Sequence, residues 1–116
     1  VAHRFEWSSQ VTHDQYQHAQ TVRASLKTHL AQVLSSDSVL VLPSMPDCAP
    51  LISQPEAALE NYRAASLKLL SVAGLCGFPQ VSLPLVKHQG APLGISMIGL
   101  NNTDALLVGL AQQVAQ

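Results

Sequence analysis

Charge is scarce in this chain. Asp, Glu, Lys and Arg together make up 11% of its 116 residues, while apolar residues reach 47%. An ordinary soluble domain carries about 25% charged residues, and a free-standing surface roughly 25–35%. Part of this surface is therefore expected to be covered by a partner or by a further segment. Six basic and seven acidic residues give a net charge of -1, without a Lys/Arg cluster. The electrostatic footprint of a nucleic-acid binder is thus missing, and no nucleic acid is expected as a direct partner. Long apolar runs are missing too. None approaches the roughly 20 residues that span a bilayer, so no membrane partner is expected. Val1-Ala2-His3-Arg4 lacks the apolar core of a signal peptide. Cys48 and Cys76 stand alone, neither in a CxxC pair, and are expected to be reduced in a cytoplasmic protein. A first residue of valine reads as a chain processed, trimmed or cut from a longer polypeptide, and the composition favours the last.

What is present is an alternation of helical and strand patterns. Thr12-His13-Asp14-Gln15 fits a capping box. Tyr16, Ala19, Arg23, Leu26, Leu30 and Val33 then recur at spacings of three and four, which predicts a helix running to about Leu34. Arg23 interrupts that stripe, and its stem is expected to lie on the core with the guanidinium in water. Val39-Leu40-Val41-Leu42 is a short apolar run stopped by Pro43; its lack of alternation predicts a central strand covered on both faces. Pro43, Pro46 and Pro50 make the following stretch a rigid loop leaving a strand end. Ligands in open α/β sheets tend to sit outside such ends.

Ser53-Gln54-Pro55-Glu56 reads as a second capping box, opening a helix over about 55–73 that Gly74 or Gly77 can end. Gln80-Val81-Ser82-Leu83-Pro84-Leu85 alternates as a strand, with Pro84 marking a strand end or a bulge. Lys87-His88-Gln89-Gly90 is a turn. Leu93 to Ile98 is a strand antiparallel to its predecessor, and Gly99 closes it. Asn102, Thr103 and Asp104 supply caps for a last helix with Leu106, Leu107, Leu110, Ala111 and Val114 on its apolar face. The pattern is α/β. Three strands make a poor sheet by themselves, so the sheet is expected to continue in another segment.

No complete catalytic set accompanies these elements. His3, His13, His18 and His29 lie in or near the first helix; His18 and His29, eleven apart, face similar directions but have no carboxylate or cysteine at i+3 or i+4, so solvated histidines are expected rather than a metal site. Ser25-Leu26-Lys27 and Ser66-Leu67-Lys68 put serine and lysine two apart, and such positions face away from one another on a helix. Gly94-Ile95-Ser96-Met97-Ile98-Gly99 is one residue too long for a nucleophile elbow and lies inside a strand, so Ser96 is expected to be structural. Cys76, between Leu75 and Gly77, reads as a packing residue.

Three pieces taken in order carry a resemblance: Val39-Leu40-Val41-Leu42-Pro43-Ser44-Met45-Pro46, then Gly77-Phe78-Pro79-Gln80-Val81-Ser82-Leu83-Pro84, then Gly90-Ala91-Pro92-Leu93-Gly94-Ile95-Ser96-Met97-Ile98-Gly99 with Asp104 after it. This order resembles the C-terminal portion of amidase signature family hydrolases, with Ser44 where that family commonly has threonine. The resemblance implies a mixed β-sheet covered by helices on both faces, an α/β/α sandwich of which residues 1–116 form the C-terminal segment. It also implies amide hydrolysis by a serine nucleophile, activated by a lysine and a second serine in a cis peptide geometry, with backbone N–H groups of a Gly/Ser-rich segment holding the oxyanion. A hydroxyl needs a base to attack an amide, and the developing charge needs fixed donors. Those parts lie upstream in the family. No residue of this chain is carried over as catalytic, and no metal or cofactor is implied.

Met45, Pro46 and Cys48 in the rigid loop, with Phe78 beside Gly77, are the residues expected to face a bound acyl or amine group. For Met45 and Phe78, core packing is the competing reading. The leading expectation is the end of an amidase-like hydrolase acting on the C–N bond of a small carboxamide, completed by the remainder of that domain and inactive without it. The amidase-type subunit of a tRNA-dependent amidotransferase, and a non-catalytic interaction module, are the alternatives; a homodimer is left open.

Overall fold

The computed structural model describes residues 2–115, with side chains from Phe5 onward. It opens with a short helix, α1 (Ala2–Ser8), which the sequence pattern does not lead us to expect, because seven residues are too few for a helical period to register. Ser8 and Ser9 then turn their hydroxyls back to the carbonyls of Phe5 and Glu6, at 2.8 and 2.7 Å. Such local bonds compete with helix propagation.

Helix α2 (His13–Val33) starts as its sequence dictates. The Gln15 N–H donates to the Thr12 hydroxyl at 3.3 Å, and the Thr12 N–H donates to Gln15 Oε1 at 2.9 Å, which satisfies two orphan donors reciprocally. The expected stripe is only partly used. Leu26 and Leu30 pack against the core, whereas Tyr16 and Val33 stay exposed. No residue of α2 is buried. Arg23 is exposed as expected, and its Nε donates to the Leu75 carbonyl at 2.7 Å.

Strand β1 (Leu40–Pro43) is followed by the loop and by helix α3 (Glu56–Cys76). Ser53 does not cap α3. Pro55 takes the N-cap position, and its carbonyl accepts from the N–H groups of Ala58 and Leu59. Its ring fixes φ near the helical value while ψ stays extended, so the chain enters the helix one step after the proline. Gly77, rather than Gly74, ends the helix with φ +67°. The Gly77 and Phe78 N–H groups both reach the Ala73 carbonyl, as in a glycine-terminated helix end.

Strands β2 (Gln80–His88) and β3 (Ala91–Ile98) form an antiparallel hairpin around Gln89 and Gly90, whose φ values are +51° and +82°. The register slips between Leu83 and Val86, which puts the expected irregularity at Pro84. The sheet order is β1-β3-β2 and every pairing is antiparallel. Hence β3 is the central strand, and β1, expected to be central, is an edge among the described residues. The apolar run misled because Leu40 and Leu42 pack on one face and Val39 on the other, while Val41 is 57% exposed.

Helix α4 (Asp104–Val114) lies on the second face. Thr103 is its N-cap by position, but the hydroxyl donates to the Leu100 carbonyl instead of capping. The core therefore has two halves. Ala73, Cys76, Phe78 and Ile98 form one, with Leu40, Leu42 and the α2 leucines against them; Met97, Leu107 and Ala111 form the other. Ile98 and Met97, adjacent on β3, divide between the halves as strand alternation requires. The sheet thus has helices on both faces.

The body is a thin plate, 46 × 39 × 19 Å, with a radius of gyration of 16.9 Å. A compact chain of this length has a radius near 13 Å. The accessible surface is 8365 Å², where a folded monomer of this mass exposes about 6,100 Å². The low charge of the sequence and this surplus of surface agree: faces of the plate are unburied apolar surface, including Val41, Val108 and Val114.

Candidate functional site

Strand alternation places Ser96 on the same face as Ile98, and register places Ser82 opposite Ser96 and Leu42 on its other side. Two residues beyond Leu42, Ser44 leaves β1 level with Gly94, and the Ser44 N–H donates to the Gly94 carbonyl at 2.8 Å. Three hydroxyls therefore converge. Ser44 Oγ lies 3.2 Å from Ser82 Oγ and 2.8 Å from Ser96 Oγ, and Ser82 Oγ lies 2.6 Å from Ser96 Oγ. The Gln80 side-chain amide donates to Ser96 Oγ at 2.8 Å. Ser96 is fully buried.

Proton counting fixes the directions. Three bonds need three protons, and each hydroxyl has one. Since Ser44 donates to Ser82, Ser96 must donate to Ser44 and Ser82 to Ser96. Ser96 then accepts from both Ser82 and Gln80, which uses both its lone pairs. The ring is closed. No lysine, histidine or carboxylate side chain bonds any of the three serines among the described residues. A serine without a base is a poor nucleophile, and within this chain the three hydroxyls are spent on holding β1, β2 and β3 together. Ser96, fully buried and bonded to Ser44, Ser82 and Gln80, is held as a structural residue would be.

The loop that starts at Ser44 is tied down again a few residues on. The Tyr62 hydroxyl, on α3, donates to the Asp47 carbonyl at 3.2 Å. The Cys48 thiol donates to the His88 carbonyl at 2.9 Å, at the end of β2. Asp47 Oδ1 accepts from the Cys48 N–H at 2.7 Å and sits 3.4 Å from His88 Nε2. Burial, followed by the neighbouring Asp47 and Cys48, pushes the Tyr62 hydroxyl above its ordinary pKa, so Tyr62 stays protonated and can keep donating.

Of the four residues expected to face a ligand, Met45, Pro46 and Cys48 share this loop, Met45 and Cys48 half-buried and Pro46 exposed. Phe78 lies in the core half built by Ala73, Cys76 and Ile98. Cys76 is 1% exposed, and burial raises its thiol pKa despite the opposing influence of Lys27 and Arg23. Both cysteines are free. His13, His18 and His29 are exposed along α2, and the His3 side chain lies outside the described residues. Among the described residues, no group of three or more His, Cys, Asp or Glu is gathered that could hold a metal ion. The sequence singles out Ser44 and Ser96 separately and does not reveal that Gln80 and Ser82 join them. The signal is the two-residue spacing of Gln80 and Ser82 within a strand, which is informative only once the strand register is known.

Known proteins are similar to this chain in sequence and, where solved, in fold. Amidase 1 of Arabidopsis thaliana is 33% identical over 115 residues, covering 99% of this chain and 27% of that protein. Amidase 1 of Oryza sativa subsp. japonica is 37% identical over 97 residues, covering 84% of this chain and 22% of its own length. The crystal structure of a glutamyl-tRNA(Gln) amidotransferase subunit from Thermotoga maritima superposes with a TM-score of 0.75 at 24% identity, over 91% of this chain and 23% of that one, a likeness of fold. The chain spans about a quarter of the length of these relatives. The family model for amidases matches residues 1–108, and with that match and the identities above the chain belongs to the amidase family.

Proposed function

We propose that residues 1–116 are the C-terminal part of an amidase-like serine hydrolase that cleaves the C–N bond of a small carboxamide. The family match over residues 1–108 carries this reading. The nucleophile, its lysine and the oxyanion donors come from the remainder of the domain. What this chain brings is a pre-set sheet and the 44–50 loop at the end of β1, with Met45, Pro46 and Cys48 as the candidate contacts for the acyl or amine group, while Phe78 packs in the core. The plate's surplus apolar surface supports docking against that remainder. We place the protein in the cytoplasm, where its two free thiols stay reduced.

The test is ammonia release from small carboxamides by the whole gene product. Release is expected, and a serine-directed sulfonyl fluoride abolishes it, whereas residues 1–116 by themselves release none. Turnover insensitive to that reagent, or turnover by residues 1–116, overturns the proposal. Amide formation on a tRNA-bound glutamate in place of hydrolysis would identify a transamidating enzyme instead.

A further inference from the structure

The serine ring sits where β1 becomes the loop, and only one of its members belongs to that loop. Ser44 is held twice, by its backbone N–H on Gly94 and by its hydroxyl between Ser82 and Ser96. The second hold depends on Gly94. A Cβ built there would lie 2.7 Å from Ser44 Oγ and 3.0 Å from Ser44 Cβ, so any side chain on β3 at this point would push the Ser44 hydroxyl out of the ring. Beyond Ser44 the prolines at 46 and 50 stiffen the chain, and Tyr62 and Cys48 pin it to α3 and to the end of β2. A stiff loop transmits the orientation of its first residue. A degree of freedom left at Ser44 would move Met45 to Cys48 together.

We infer that Ser44 is a positioning residue: its hydroxyl, closed into a ring with Ser82 and Ser96 and admitted by Gly94, sets the orientation of the 44–50 loop toward the bound amide. The inference rests on the amidase reading for the identity of what is bound. The ring consumes all its protons internally, so it orders the loop without offering the ligand a hydrogen bond. Substrate is felt through Met45 and its neighbours.

The experiment compares Ser44→Ala, Ser44→Thr and Gly94→Ala in the whole gene product. Amide hydrogen exchange at Met45, Asp47 and Cys48 is expected to quicken about two- to tenfold in Ser44→Ala, the span that one hydrogen bond carries, with Val81 and Met97 exchanging as in the parent. KM for a carboxamide rises by a similar factor while kcat stays within about twofold, the signature of lost positioning in the ground and transition states alike. Ser44→Thr restores both readings, and Gly94→Ala reproduces the loss. Should Ser44→Ala fail to fold, Ser82→Ala, which removes the exposed member, takes its place. Unchanged exchange overturns the inference, and so does quickened exchange with an unmoved KM. If the parent releases no ammonia from any carboxamide, the hydrolase reading falls by itself. The exchange measurement then decides the ring: quickened loop amides uphold it and unchanged amides overturn it.

Discussion

Arg23 Nε donates to the Leu75 carbonyl oxygen at 2.7 Å, from the middle of α2 to the last turn of α3. The last carbonyls of a helix have no partner within it, and its C-terminus favours positive charge. Helix α3 has no basic residue in its last turn. Arg23 supplies from a neighbouring helix what α3 lacks. Arg23→Ala is expected to lower stability by about 1 kcal/mol, less than the roughly 1.5–3 kcal/mol of a buried charged hydrogen bond because the site is exposed. Arg23→Lys should recover part of it. Urea denaturation of the three proteins checks the order.

Gly74 and Gly77 are three residues apart and should respond oppositely to alanine. An added Cβ meets nothing within 4 Å at either site, so packing does not decide. Gly77 has φ +67°, where a Cβ costs about 1 kcal/mol. Gly74 lies inside α3, where alanine gains about 0.5–1 kcal/mol. Thermal melts should show Gly77→Ala below the parent and Gly74→Ala above it.

The two thiols should separate kinetically. Cys76 is 1% exposed, and burial raises its pKa, so it presents little thiolate and little access. Cys48 is half-buried on the loop. Iodoacetamide at pH 8 is expected to label Cys48 first and Cys76 only when the protein is unfolded, which peptide mapping by mass spectrometry reads directly.

Asp37 gives a pH effect of defined sign. The Ser35 hydroxyl donates to its carboxylate at 2.6 Å and, as the main cause, lowers its pKa from the usual value. A carboxyl with a depressed folded pKa stabilises the protein above its unfolded pKa, and that contribution is lost as pH falls through the folded value. The Asp37 carboxyl is therefore expected to titrate below an ordinary aspartate by NMR, and Ser35→Ala to bring it back up. The stability difference between parent and variant should close toward acid pH.

Local chemistry was legible in the sequence, and distant pairing was not. Thr12 and Gln15 announce the start of α2 because capping involves residues three apart. Pro84 announces the slip in β2 because a missing N–H is a local fact. The stop at Gly99 is local in the same way, whereas the turn expected over Lys87 to Gly90 narrows to Gln89 and Gly90, because Lys87 and His88 still pair with Pro92 and Ala91 as the end of β2. Pro55 displaced Ser53 as the cap of α3 through a competition between two neighbours that composition does not rank. The role of β1 as an edge depends on who its neighbour is, and the ring of Ser44, Ser82 and Ser96 depends on register across three strands. Neither is written in any one stretch of chain. The amidase resemblance recovered the family from three spaced pieces, yet the candidate contacts it suggested divide between the loop, with Met45, Pro46 and Cys48, and the core, with Phe78.

The two junctions of β3 differ in how far the chain must travel to make them. Its pairing with β2 closes through Gln89 and Gly90, both already in the left-handed conformation that a two-residue link needs. Its pairing with β1 waits for all of α3 to be threaded between them. Hairpins zip in roughly 1–10 μs, whereas contacts between remote segments carry a larger closure entropy. The sheet should thus assemble from its hairpin outward, with β1 docking last and the serine ring closing as the final step of maturation. Pulse-labelled refolding should protect the amides of Val81 and Met97 before that of Ser44.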